Sequence, residues 1–199
     1  MSISIHNLIG ETDIYLLDQI MKGRYTANDI ILDAGCGNGR NLHWFLLNNI
    51  SVYGIDSNPD FINDLKRSHT NLPSTRFQVA AVEGLPFESN FFGHIICSAV
   101  LHFAASTSHF KNMMVELVRV LKHNGSLFIR MTSNIGIETH VELMEDGVYH
   151  IPDGSIRFLL TKQLLASTMR QCNLSFIEPL KTVNVNDIRC MSTLMLRKN

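Results

Sequence analysis

Three glycines and two aspartates carry the chemistry that can be read directly from this chain. Asp33, Gly35, Gly37 and Gly39 fall in the run D-A-G-C-G-N-G-R-N, and Asp56 follows seventeen residues after Gly39. Glycines in a tight turn let backbone N–H groups approach a bound molecule, because no Cβ stands in the way. An acid at the end of the following strand can accept from the two hydroxyls of a ribose. Asp33 acts through its charge. A carboxylate two residues ahead of the first glycine repels a pyrophosphate and suits an ammonium group.

These residues need strands and helices to place them. Ile30, Ile31 and Leu32 read as the buried centre of a strand over 29–34, and Leu42, Phe45 and Leu46 as one face of a helix over 40–48. A second strand is expected over 51–56. A helix follows over 60–66, with Pro59 in its first turn. Further strands are expected over 75–82, 92–98 and 126–131, with a turn at Glu83–Phe87. Phe110, Met113, Met114, Leu117 and Leu121 repeat at helical spacing, with Asn124 or Gly125 to end that helix and both methionines in the core. Alternation at this pitch predicts an α/β fold: one Rossmann-like, doubly wound, seven-stranded and mostly parallel sheet, closed by a C-terminal antiparallel hairpin over 174–184 and 191–197. The single domain divides into a helical leader (1–28, its helix over 11–24 capped by Asp13), a cofactor-binding core (29–131), a polar substrate-side loop insertion (132–160) and a final helix, capped by Thr161, with the hairpin (161–199).

The glycine spacing is G-x-G-x-G. A dinucleotide fingerprint is G-x-G-x-x-G, and its third glycine would fall on Arg40. A ribose, an ammonium and no phosphate describe S-adenosylmethionine, which is preferred to NAD. An NAD-dependent oxidoreductase stays as the lesser alternative. Seventeen basic and eighteen acidic residues leave a net charge of −1 without a basic stripe, which argues against nucleic acid as a partner. No window is apolar enough to span a membrane, and the N-terminal stretch lacks the pattern of a secretory signal. Four cysteines without a C-x-x-C pair read as free thiols of a cytoplasmic protein. Glu138, His140 and Glu142 alternate, but no His or Cys pair at ligand spacing accompanies them, so no metal is expected.

Five motifs in order, D-A-G-C-G-N-G-R, G-I-D-S-N-P, E-G-L-P-F, F-F-G-H-I-I-C-S-A-V-L-H-F and E-L-V-R-V-L-K-H-N-G-S-L, resemble the class I S-adenosylmethionine-dependent methyltransferases of the type 11/25 kind. The G-N-G-R-N variant resembles the small-molecule branch that includes tellurite and thiopurine methyltransferases. The resemblance implies that Gly35, Gly37 and Gly39 flank the methionine part of the cofactor. Asp56 would hold the ribose, and Val82 and Glu83 would meet the adenine. Ser98 would lie near the methionine end, and His102 at the lip of the substrate pocket. Asp33, Cys36, Arg40, Asn41 and Ser57 complete the expected cofactor set. Two departures stand out. Ala81 replaces an acid that often reads the adenine amino group, so Glu83 is expected to replace it, and Gly93 replaces a common aspartate.

The function expected is methyl transfer from S-adenosylmethionine, leaving S-adenosylhomocysteine, to a small thiol, metalloid anion, oxygen or carboxylate nucleophile. The protein would be a monomer or homodimer. Such a displacement needs alignment of nucleophile, methyl and sulfur more than it needs a base. His102 is the one candidate base. Tyr15, Arg24, His102, Phe103, Arg157 and Phe158 are the candidate substrate contacts. The turn Ser98-Ala99-Val100-Leu101 is unlike the Asn/Asp-Pro-Pro-aromatic turn of amino-methylating enzymes, which disfavours a base or amide acceptor. The alternative is a non-catalytic cofactor-binding regulatory or partner subunit.

Overall fold

The computed structural model describes residues 4–199. Strands β1 (Ile30–Ala34), β2 (Ser51–Asp56), β3 (Phe77–Val79), β4 (Phe92–Ser98) and β5 (Leu121–Thr132) run parallel in the order β3-β2-β1-β4-β5. Strand β11 (Arg189–Lys198) lies antiparallel against β5. Both β9 (Leu174–Phe176) and β10 (Lys181–Val185) pair with β11. The chain winds outward from β1 to β3, then returns to the other side of β1 with β4. The carboxyl ends of β1 and β4 therefore bound the crevice where such sheets bind ligands.

Both faces of the sheet are covered. Leu16 of α2 (Ile14–Met21), Phe45 of α3 (His43–Leu47) and Ile62 and Leu65 of α4 (Pro59–Ser68) pack with Ile31, Val52 and Phe128 on one face. Phe110, Met113, Met114 and Leu117 of α5 (Thr107–Val120) and Leu165 of α6 (Lys162–Gln171) pack with Leu32, Ile95 and Ile129 on the other. One short helical turn, Ile5–Ile9, precedes α2. The expected caps Asp13 and Thr161 form, each accepting from a backbone N–H of the helix it starts, and Asn58 does the same ahead of Pro59. All four cysteines are free and buried.

The structure corrects several boundaries. The helix after the glycines starts at His43, because Gly37 and Gly39 take positive φ (+53° and +85°) and the turn continues through Leu42. Strand β3 covers three of the eight residues expected. Its partner β2 ends at Asp56, opposite Val79, and only the Ala80 N–H, which donates to Asp56 O at 3.0 Å, reaches further. Helix α5 starts three residues early, where Ser106 accepts from the His109 N–H, and ends at Val120. Asn124 (φ +63°) does not cap it; it sits in a bulge inside β5. The C-terminal hairpin is three strands, since Pro179 interrupts the first expected one. The segment taken for a loop folds as an antiparallel meander of β6 (Glu142–Glu145), β7 (Val148–His150) and β8 (Ile156–Phe158). Asp146 and Gly147, both at positive φ, form its first turn, the Asp-Gly signal of a tight hairpin.

Gly125 fills the bulge where β5 crosses β4. A Cβ there would lie 2.8 Å from the carbonyl oxygens of Gly93 and Lys122, which are backbone atoms with no room to yield. Gly125→Ala should destabilise the fold by about 1–3 kcal/mol, seen as a lower urea midpoint at unchanged slope. An unchanged midpoint would show that the bulge is free to relax.

Candidate functional site

Gly35 leaves β1 at φ +81° and turns the backbone over the end of β2. The N–H groups of Gly35 and Cys36 both donate to Ile55 O at 2.8 Å. The Gly37 N–H donates to Asp56 Oδ2 at 2.9 Å, and the Asn58 N–H donates to Asp56 Oδ1 at 2.9 Å. Asp56 is thereby held by one N–H on each oxygen. Its remaining lone pairs are left for a ligand, the arrangement a vicinal diol requires. Asp56 lines a cavity of about 430 Å³ together with Gly35, Ser57, Ala81, Val82, Glu83 and other residues from the ends of β1, β2 and β4.

A Cβ on Gly35 would lie 2.3 Å from Val100 Cγ2, so only glycine lets the turn close against that cavity wall. Gly39 has a different role. A Cβ there would lie 2.6 Å from Leu65 Cδ2, which makes it a packing residue between the turn and α4. The Cys36 side chain is buried with the core beneath the turn, against Gly54 and Phe77, and burial raises its pKa.

Asp33 is fully buried, and neither of its carboxylate oxygens has a hydrogen-bond partner. Burial pushes its pKa up to about 7, against the attraction of Arg40 and with the repulsion of Asp56. It is not among the residues lining the cavity. Behind the turn it is an unsatisfied carboxyl group whose charged form a cationic ligand at the cavity edge would stabilise.

A second aspartate does what sequence reasoning reserved for capping alone. Asp13 Oδ1 accepts from the Tyr15 N–H, while Oδ2 accepts from Arg130 Nη1 at 2.9 Å and lies 3.4 Å from the Ser98 hydroxyl. The Asp13 N–H donates to Asn41 Oδ1 at 3.1 Å, and Arg40 lies 3.8 Å from Asp13 Oδ2. Ser98, Asn41 and Arg40, expected at the cofactor, thus meet around the leader's cap. Tyr15 lies there too, with the Arg130 guanidinium 5.0 Å from its ring centre.

Other expected residues divide: His102, Phe103, Arg157 and Phe158 line one cavity of about 380 Å³, and Arg24 stands apart. Arg24 is drawn to Glu178 and Gln19 at the leader's far end and lines no cavity described here. Phe158 is buried and stacks on Phe110. Phe103 lines the 430 Å³ cavity, and Arg157 lies over its ring at 5.2 Å. His102 also lies in a neighbouring cavity of about 400 Å³. Burial, then Arg157, Arg130 and Arg189, bring its pKa down to about 4, so it is neutral near pH 7, and its Nδ1 has no partner.

Sequence reasoning missed Phe61, Val100 and His109 as lining residues, and Met113, assigned to the core, also reaches this cavity. His109 Nε2 stands 3.3 Å from Glu83 Oε1. Helical periodicity marks His109 only as a polar position. Ala99 was missed too. It takes φ +63° at the end of β4, with its N–H on Arg130 O at 2.7 Å, and it lines the cavities of about 430 and 400 Å³. Non-glycine residues in this region are strained, and such strain collects at functional sites.

A parallel sheet with this glycine turn, a pinned acid on the next strand and a cavity across the strand ends defines a class. The chain carries a methyltransferase domain on the fold of the class I S-adenosylmethionine-dependent methyltransferases. Residues 32–129 match the family described as "Methyltransferase domain". The chain is 33% identical to the uncharacterised methyltransferase YodH of Bacillus subtilis over 123 residues, 60% of this chain and 47% of that one. It therefore spans about half the length of that relative. An S-adenosylmethionine-dependent methyltransferase of Methanosarcina mazei shares the fold at a TM-score of 0.71 and 20% identity, covering 90% of this chain and 96% of that one. The 1,6-didemethyltoxoflavin-N1-methyltransferase of Burkholderia thailandensis does so at 0.67 and 17%, covering 96% and 80%. Among the described residues no helix is long and apolar enough to cross a membrane.

Two measurements follow from the site's own strain. The folded chain keeps the Asp33 proton up to about pH 7, whereas the unfolded chain loses it near its ordinary value of 3.8. The Asp33 contribution to stability therefore falls as pH rises across that window. Melting temperature should decline from pH 5 to 7.5, and Asp33→Asn should flatten that decline; an unaltered slope would place the titration elsewhere. Ala99→Gly should relieve the left-handed backbone and raise stability by roughly 0.5–1 kcal/mol after the entropic cost of glycine. A loss instead would show that the Ala99 methyl makes contacts worth more than the strain.

Proposed function

We propose that this chain transfers a methyl group from S-adenosylmethionine to a small-molecule acceptor. The observation that carries the reading is Asp56, pinned by the Gly37 and Asn58 N–H groups and facing a cavity of ribose-plus-base size at the strand ends. In this reading Asp56 accepts from both ribose hydroxyls. Val82 packs on the adenine, and Glu83, beside His109, accepts from its amino group in place of the acid lost at Ala81. Gly35 and Gly37 let the methionine part lie against the turn, with Asp33 behind it to offset an ammonium. Ser98 is held in place by Asp13.

Bound there, the cofactor supplies a methyl carbon on a positively charged sulfur. The chain's task is then alignment and the exclusion of water, with no metal step. His102 is a weak base, since burial and the surrounding arginines hold it neutral down to about pH 4. Acceptors that already carry a free lone pair at neutral pH suit it better than those that must be deprotonated. The Burkholderia relative, whose structure holds S-adenosylhomocysteine with a small substrate, supports a small acceptor. Four free cysteines fit a reducing cytosol.

Titration calorimetry with S-adenosylhomocysteine tests the cofactor site. Binding on the order of micromolar is expected for the parent protein. Asp56→Ala should weaken it about 100-fold or more through loss of two charge-assisted hydrogen bonds. No binding by the parent protein would overturn the reading. Binding without methyl transfer to any acceptor would favour a regulatory subunit instead.

A further inference from the structure

The cavity of about 400 Å³ is lined by Arg40, Arg130, Arg157 and Arg189 with Asp153 and His102. The four arginines come from separate elements: the glycine turn, β5, β8 and β11. Their convergence is not a by-product of a basic chain, since the net charge is −1. Like charges gathered in a concave site repel one another unless something negative offsets them.

The offset inside the chain is incomplete, and it falls into two halves. Arg130 and Arg40 share the single carboxylate of Asp13. Arg189 stands 3.8 Å from Asp153, the carboxylate whose pKa Arg157 also helps to lower. Arg157 has no carboxylate within 4 Å among the described residues; its Nη1 donates to the carbonyl oxygen of the neighbouring Ile156. The Arg130 Nε is buried without any partner. Each half therefore has two guanidiniums against one carboxylate, a surplus of one positive charge.

The cavity also lies where an acceptor has to be. Ala99 lines both this cavity and the one that holds Asp56, so the two meet at the strained end of β4. A molecule held by the arginines would face the methionine end of the cofactor across that residue.

From this convergence we propose that the arginine-lined cavity is the acceptor site, and that its substrate is a small di- or tricarboxylate methylated on a carboxylate oxygen. The proposal rests on the methyl-transfer reading above. Two separate half-sites, each with one positive charge in surplus, match two carboxylates set apart on one molecule, and guanidinium forks match carboxylate oxygens in pairs. The chemistry balances without a base. A lone pair of the carboxylate oxygen forms the bond to the methyl carbon as the carbon–sulfur bond breaks, and that electron pair goes to sulfur. The reacting carboxylate becomes an uncharged ester group and the sulfonium an uncharged thioether, the remaining carboxylates keep their charge, and no proton moves. His102 then needs only to remain uncharged.

The test uses the full chain saturated with S-adenosylhomocysteine. Four- to six-carbon di- and tricarboxylates at millimolar concentration should raise its melting temperature above that in sodium chloride of matched ionic strength. Matched diamides should not. The shift should shrink in Arg157→Gln and in Arg189→Gln, while S-adenosylhomocysteine affinity stays within twofold of the parent. With S-adenosylmethionine, a member of the panel should be converted to its methyl ester, identified by mass. Its KM should rise tenfold or more in either variant and rise with salt, as screening predicts. The proposal is overturned if no carboxylate shifts the melting temperature, if phosphate monoesters do so and carboxylates do not, or if both variants leave KM unchanged. A parent protein that binds carboxylates but neither form of the cofactor would instead overturn the methyl-transfer reading.

Discussion

The site depends on how the first glycine turn is fastened to the second strand. Three consecutive backbone N–H groups, from Gly35 to Gly37, donate across to the end of β2: two to Ile55 O and one to the Asp56 carboxylate. A parallel pair cannot close through a hairpin, so this fastening does the work of a tight connection between β1 and β2. It also fixes the composition around it. Gly35 has to stay free of a Cβ to clear Val100, and a Cβ on Gly54 would lie 2.9 Å from Cys36 Sγ. The acid that faces the cavity is thus oriented by the backbone it helps to hold, before any ligand arrives.

Charge is arranged around that fastening in two layers. Asp33 lies buried and unpaired beneath the turn. Asp13 lies above it and gathers the leader, the glycine turn, β4 and β5 through Tyr15, Asn41, Ser98 and Arg130. Removing a carboxylate from such a centre leaves buried guanidinium unpaired, which is why one cap residue matters beyond its own helix. The leader therefore holds Ser98, Asn41 and Arg130 in place beside the site.

Local pattern was sufficient where an element is long, buried and punctuated. Strands β2 and β4 fall on their expected residues, since each is an apolar run ending at a polar residue or turn. The caps Asp13 and Thr161 need only their own side chain and two or three neighbours. Pattern was insufficient where pairing is set by a partner. Strand β3 is short because β2 ends, and the meander after β5 has strands of three or four residues, too brief for alternation to register. Its Asp146-Gly147 turn carries a local signal, but one without flanking alternation to mark the strands it joins.

The sequence by itself determined the strand–glycine–helix core, the acid at the end of β2 and, with them, the cofactor class, because those residues are near one another in the chain or follow a fixed strand-and-helix pitch. Only the tertiary structure decided what lines the neighbouring cavity. Arg40, Arg130, Arg157 and Arg189 span 150 residues of sequence and share no motif. They meet because β11 returns antiparallel beside β5 and the meander folds over the end of β4. His109, at an ordinary helical position, reaches Glu83 for the same kind of reason. Long-range pairing places these side chains, and no local propensity records where a strand will return.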